Sequence, residues 1–208
     1  PAQHAVAGDS AFALRAPAKR LNRHVGRTNE TAAQTHRSQE MMRFRRASLP
    51  ADVKGSLYLH KMLGRNENLS ESFQEIRIQS INWILSLAPM EEIRAKSPSY
   101  AQAIQLGKLP CEFTAFPITD YGVPERQSDF ASLVKDIAER LRNGERIVIH
   151  CGAGIGRTGT MACCILAELG HSEDEARNAI KAAGSGPETD EQNDLIHWYV
   201  ETITPQKN

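Results

Sequence analysis

IVIHCGAGIGRTGTMACC, residues 147–164, admits two incompatible readings, and the choice between them sets the fold. Gly154, Gly156 and Gly159 have the G-x-G-x-x-G spacing of a dinucleotide-binding turn. Cys151 and Arg157 instead bracket a loop of five residues. A dinucleotide turn needs a second strand after its helix, ending in an acid about twenty residues on. Here the pattern after Gly159 stays helical to Gly170, and the twenty-residue position falls near Ala179, inside the helical stretch EDEARNAIKAAG. The second strand is missing. A Walker-type loop fails as well, because the lysine it requires has no counterpart.

The cysteine reading uses every unusual residue of the stretch. A seven-residue loop from a strand end to a helix start aims several backbone N–H groups into one concavity, and the helix N-terminus adds positive potential. A tetrahedral dianion fits there. Glycines let the backbone curl tightly and approach closely, and the planar fork of Arg157 can grip two phosphoryl oxygens. The same field lowers a cysteine pKa from about 8.5 toward roughly 3.5–7.5, so Cys151 is expected to act as a thiolate nucleophile without a metal or a separate base. Spacing alone is weak evidence. With four cysteines, Cys-x5-Arg arises by chance in roughly one chain in five, and requiring Gly154 and Thr158 as well lowers this to roughly one in a thousand.

Outward from this stretch the chain reads as alternating strands and helices. GSLYLHKM (55–62), SINWILSLA (80–88), CEFTAFPI (111–118) and RIVIH (146–150) read as strands, the last of the buried parallel type. SESFQEIRI (70–78) reads as a helix capped by Ser70 or Ser72, and EEIRAK (91–96) and SYAQAIQLG (99–107) as short helices. Phe130, Leu133, Val134, Ile137, Ala138 and Leu141 recur at helical spacing, with Ser128 as the expected N-cap and Gly144 past the end. RTGTMACCILAELG (157–170) is a buried helix, and Ser172-x-x-Glu175 and Thr189-x-x-Gln192 are capping-box patterns that open two more. The expected fold is α/β: a central, mostly parallel sheet of four to five strands flanked by helices, with a phosphate-binding loop between a strand and a helix.

HCGAGIGRTG (150–159) resembles the signature of the cysteine-dependent protein tyrosine phosphatase superfamily, and FPITDYGVPE (116–125) its acid loop. Together with GSLYLHKMLGR and ETDEQNDLI, these motifs are most similar to the compact dual-specificity branch around the kinase-associated phosphatase and its bacterial relatives. The resemblance covers roughly Arg43 to Val200. It implies that Cys151 attacks phosphorus while Arg157 and the loop amides of Gly152, Ala153, Gly154, Ile155, Gly156 and Arg157 hold the phosphoryl oxygens. It also implies that Asp120 is the general acid, with Asp129 and Glu125 as fallbacks, and that Thr158 donates to the departing thiolate. Gln192 lines up with a glutamine that positions the hydrolytic water, although it is also the N3 residue of the Thr189 capping box. His150 is read as a loop-orienting residue, since strand alternation turns it away from the pocket.

Other residues have plainer readings. Cys111, Cys163 and Cys164 are expected as structural thiols, and Trp83 and Trp198 as core. Tyr121 is expected at the pocket rim or in a turn. His4, His24, His36, His60, His171 and His197 show no metal-ligand spacing, so neither metal nor cofactor is expected.

A formal net charge of +0 gives no global bias toward nucleic acid or an acidic membrane surface. Four unevenly spaced cysteines point to a reducing, cytoplasmic setting rather than a disulfide scaffold, and no run is long enough to span a membrane. Residues 1–42 lack apolar periodicity and are locally basic, which predicts a flexible leader able to dock a partner or act in targeting; residues 43–203 form the catalytic domain and 204–208 a short tail. The deep tyrosine-recognition loop of phosphotyrosine-specific relatives is not found, so a phosphorylated protein taken in a shallower, dual-specificity cleft is the expected substrate. Relatives acting on phosphoinositides often carry lysines in the phosphate loop; Gly152, Ala153 and Ile155 stand there instead, which argues against a very highly charged ligand and leaves inositol polyphosphates, phosphoinositides or RNA ends as the runner-up. A catalytically silent phosphate-binding module is the remaining one. Arsenate reduction is disfavoured, because Asp120 precedes Cys151.

Overall fold

The computed structural model describes residues 44–203; the expected leader over 1–42, Arg43 and the tail over 204–208 lie outside the described residues. A five-stranded sheet is built from β1 (Arg45–Arg46), β2 (Ser56–His60), β3 (Trp83–Ser86), β4 (Glu112–Ala115) and β5 (Arg146–His150). Its order is β1-β2-β5-β3-β4. β1 pairs antiparallel with β2, and the other pairings are parallel. Seven helices are seen among the described residues: α1 (Leu69–Ile78), α2 (Met90–Lys96), α3 (Pro98–Gln105), α4 (Gln127–Arg142), α5 (Gly156–Glu168), α6 (Glu173–Ala182) and α7 (Asp190–Ile203).

The sheet buries both faces, which explains why β2, β3 and β5 read as continuous apolar runs rather than alternations. Leu57, Leu59, Trp83, Leu85, Ile147 and Ile149 point to one face and pack with Phe130, Val134, Ile137, Met161, Ile165, Ile180 and Tyr199 of α4 to α7. Tyr58, Ile84 and Val148 point to the other and pack with Ile76, Ile93 and Tyr100 of α1 to α3. At the carboxyl ends of the three central strands the register aligns His60, His150 and Ser86 in one row, all buried. Polar groups at this end of a parallel sheet mark where a ligand site is built.

Helix starts depart from the expected caps. α1 begins after Asn68, not Ser70 or Ser72; Ser72 instead donates its hydroxyl to Glu67 Oε1 at 3.0 Å. α4 begins after Arg126, so Ser128 falls inside its first turn, with its hydroxyl 3.4 Å from Asp129 Oδ1. The Ser172–Glu175 capping box forms in full. The Thr189–Gln192 box forms by half: the Gln192 N–H donates to Thr189 Oγ1 at 3.2 Å, but the Gln192 side chain turns elsewhere. No described helix is long and apolar enough to cross a membrane.

Candidate active site

Cys151 follows β5 directly and is buried, with the amide of Gly154 donating to its Sγ at 3.2 Å. The loop then curls through Gly154, whose φ of +74° and close approach to the His60 carbonyl leave no room for a side chain. It enters α5 at Gly156. Neighbouring strands fix its rim: the Met62 N–H donates to Gly152 O at 3.2 Å, and the Leu87 N–H to His150 O at 2.8 Å. The outward carbonyls are satisfied too. The one hydroxyl hydrogen of Ser185 is shared between Gly154 O at 3.1 Å and Ile155 O at 2.9 Å, and the guanidinium of Arg45, from β1, bonds Gly154 O and Gly184 O.

Arg157, only 3% exposed, lies in the first turn of α5. Its Nη1 donates to Glu92 Oε2 at 2.7 Å and Ile118 O at 2.9 Å; its Nη2 donates to Glu92 Oε1 at 3.1 Å and Asp120 Oδ1 at 2.6 Å. A planar fork is thereby oriented along two edges at once. Burial pulls the arginine pKa down, but the Glu92 hydrogen bond and the charges of Cys151, Glu92 and Asp120 more than compensate and hold it raised. Glu92 also takes Lys96 Nζ at 2.7 Å, and Lys96 Nζ stands 3.4 Å from Asp120 Oδ2. Burial works against the Glu92 carboxylate, and its bonds to Arg157 and Lys96 override this and hold its pKa below the usual range.

Glu92 and Lys96 were not among the expected site residues. Their sequence, MEEIRAK, reads as a short surface helix, and only the i, i+4 pairing hinted at a shared face. Tertiary placement turns that face toward Gly152, where any side chain would collide with Glu92 Oε1.

His150 is fully buried, with Nε2 2.9 Å from Tyr100 Oη and Nδ1 3.3 Å from the Cys151 carbonyl. A proton on Nδ1 satisfies both contacts, the ring accepting from the tyrosine. Burial pushes its pKa down to about 4, so the ring is neutral near pH 7. Thr158 is buried, and its Oγ1 has no hydrogen-bond partner among the described residues. Gln192 is buried, but both ends of its amide are engaged: Nε2 donates to Gly122 O at 3.1 Å, and Oε1 accepts from the Glu188 N–H at 2.8 Å. Tyr121, next to Asp120, is 62% exposed.

The remaining cysteines occupy different surroundings. Burial raises the pKa of Cys111 to about 11 and that of Cys163 to about 12, and holds that of Cys164 well above its ordinary value. These are thiols, not thiolates, at neutral pH.

Residues 64–201, more than half of the chain, match the family described as "PTP-SAK: Swiss Army Knife protein, DSP-PTPase phosphatase domain". Protein 197R of Invertebrate iridescent virus 6, whose name proposes a tyrosine phosphatase, is 28% identical over 153 residues, which cover 72% of this chain and 54% of that protein. The chain thus spans about half the length of this curated relative. Among solved structures, kinase associated phosphatase superposes with a TM-score of 0.67 at 18% identity, covering 79% of this chain and 97% of the other. PTPMT1 in complex with PI(5)P superposes at 0.58 and 17% identity, covering 71% and 91%. At such identities these structures speak to the fold. By the match over residues 64–201, the chain belongs to the DSP-PTPase phosphatase domain family.

Proposed function

We propose that this member of the DSP-PTPase family hydrolyses phosphomonoesters on proteins through a phosphocysteine intermediate. The observation that carries the reading is the convergence of the Asp120 carboxylate and the buried Arg157 guanidinium, 2.6 Å apart, beside the loop that begins at Cys151. In the first step the Cys151 thiolate attacks phosphorus and the P–O bond to the leaving group breaks, while Asp120, released from Arg157 by the phosphoryl group and protonated from solvent, gives that proton to the departing oxygen. Arg157 and the loop amides from Gly152 onward hold the equatorial oxygens, so that catalysis is mostly positioning and charge stabilisation. In the second step Asp120, now a carboxylate, takes a proton from water, the water oxygen bonds to phosphorus and the P–S bond breaks. Inorganic phosphate leaves and the thiolate returns. The buried, unpartnered Thr158 hydroxyl supports a role as donor to that departing sulfur. His150 and Tyr100 act as positioning residues through the Cys151 carbonyl. With both ends of its amide engaged, Gln192 serves by holding the acid loop at Gly122, and it orients water only after releasing one of them.

The catalytic unit in this reading runs over residues 43–203, metal-independent and at work in a reducing cytoplasm, with the basic residues 1–42 docking a partner. A second substrate reading, phosphoinositides, inositol polyphosphates or RNA ends, draws on Lys96, a cation beside Gly152 and Asp120 that can meet an additional phosphate. The test is hydrolysis of an aryl phosphate in EDTA by wild type and Cys151→Ser, followed by panels of phosphopeptides and inositol phosphates. Turnover that survives chelation and vanishes with Cys151→Ser supports the mechanism, and the panels separate the two substrate classes. Absence of turnover by reduced wild type, with phosphopeptide binding retained, would make the chain a binding module.

A further inference from the structure

One carboxylate in contact with the phosphate loop has no part in the mechanism above. Glu188 lies in the connector between α6 and α7, and its Oε2 accepts the Gly156 N–H at 2.8 Å. The contact is built rather than incidental. Pro187 precedes it, the Glu188 N–H is held by Gln192 Oε1 at 2.8 Å, and Gln192 is itself anchored to Gly122 O at 3.1 Å. Next to it, Thr189 Oγ1 donates to Tyr121 O at 3.3 Å, so the connector and the first turn of α7 each reach the Asp120 loop. On the other side of the contact, the carboxylate end of Glu188 stands in the space that a side chain at Gly156 would enter. A loop amide and a carboxylate thirty-two residues later are thus joined by a direct hydrogen bond.

We propose that Glu188 is an internal anionic ligand of the phosphate loop, occupying the Gly156 amide in the resting protein and yielding it to the incoming phosphoryl group. The inference rests on the phosphate-loop reading above. An N–H carries one hydrogen, so Gly156 can serve the carboxylate or a phosphoryl oxygen, but not both with good geometry. A carboxylate at hydrogen-bond distance from the loop also repels a dianion entering it. Two consequences follow for specificity. Weakly held anions, inorganic phosphate among them, are discriminated against, and a substrate must bring binding energy from its remaining surface to displace Glu188.

The test is a titration of inorganic phosphate followed by the Gly156 amide resonance in wild type, Glu188→Gln and the exposed control Glu191→Gln. Glutamine keeps an acceptor for the Gly156 N–H and removes the charge. The expected result is a phosphate Kd about tenfold tighter in Glu188→Gln and moved less than about twofold in Glu191→Gln. A change no larger than the control's reduces Glu188 to surface charge and overturns the proposal. Weaker binding overturns it as well, making Glu188 a support of the loop. Aryl phosphate turnover, measured in parallel, judges the enzymatic reading separately: a tightened Kd without turnover keeps this inference and loses the enzyme, and turnover with an unmoved Kd does the reverse. Absence of phosphate binding at the loop in Glu188→Gln as well as in wild type sinks this inference and leaves the enzymatic reading to the turnover measurement.

Discussion

Arg157 Nη2 lies 2.6 Å from Asp120 Oδ1, so the guanidinium assigned to the phosphoryl group already holds the assigned acid. The pair ties the loop that carries Asp120 to the first turn of α5. Asp120→Asn keeps a polar acceptor for Arg157 and removes the transferable proton. Steady-state kinetics on an aryl phosphate should show kcat reduced about 10²–10⁴-fold, with inhibition by inorganic phosphate equal or several-fold tighter because one competing charge has gone. An unchanged kcat would move the acid role to Glu125 or Asp129, the latter paired at the surface with Arg126 at 3.3 Å.

Glu92 orients Arg157 through both of its oxygens. Glu92→Ala leaves the buried guanidinium with Ile118 O and Asp120 as partners, and the fork less firmly oriented. We expect kcat/KM to fall by about 10- to 100-fold, and urea denaturation to register a loss of about 1–3 kcal/mol. Retained kcat/KM alongside the stability loss would confine Glu92 to a structural role.

His150 predicts a pH dependence of stability. Its pKa is about 4 in the folded chain against 6.5 in the unfolded one, because burial opposes the charged ring. Between these values the unfolded chain binds a proton that the folded chain does not, so the contribution is present in full above pH 6.5 and is lost as pH falls toward 4. The full window is worth about 3 kcal/mol. Urea midpoints measured at pH 7 and pH 5 should therefore converge in His150→Asn relative to wild type. Glu67 works in a separate and lower window. Burial opposes its charge, but bonds to His60, Lys61 and Ser72 bring its pKa from 4.5 to about 2, so its contribution is lost below pH 4.5.

Gly159 sits where α5 meets the backbone of Gly186, and any side chain there would overlap the Gly186 amide. Gly159→Ala should lower stability by about 1–3 kcal/mol and slacken the connector that carries Ser185 and Glu188. Thermal melting reads the first effect and the phosphate Kd the second. A melting temperature equal to wild type would show that the connector yields easily.

The sheet and its order of elements were legible because the central strands are buried on both faces and α4 repeats its apolar residues at helical spacing. The loop was legible because cysteine, glycines and arginine lie within one continuous stretch. β1 was not. Two arginines, Arg45 and Arg46, carry no strand pattern, and they form one only by pairing with Leu59 and Tyr58. The caps of α1 and α4 were misplaced because serines compete locally for other acceptors, here Glu67 and Asp129. Glu92, Lys96 and Glu188 escaped for a different reason: each reaches the loop from another element, and nothing in local sequence distinguishes a carboxylate that meets an arginine across the fold from one that meets water.

The bonds from Ser185 to the Gly154 and Ile155 carbonyls set an order of events during synthesis. Cys151 emerges from the ribosome before the serine that braces its loop, by a few seconds at about 5–20 residues per second. A nascent chain therefore displays the complete cysteine-to-arginine motif with its carbonyls still unbraced. On this reading the loop gains its full bracing only once the connector that carries Ser185 has been made, as a late event in the making of the molecule.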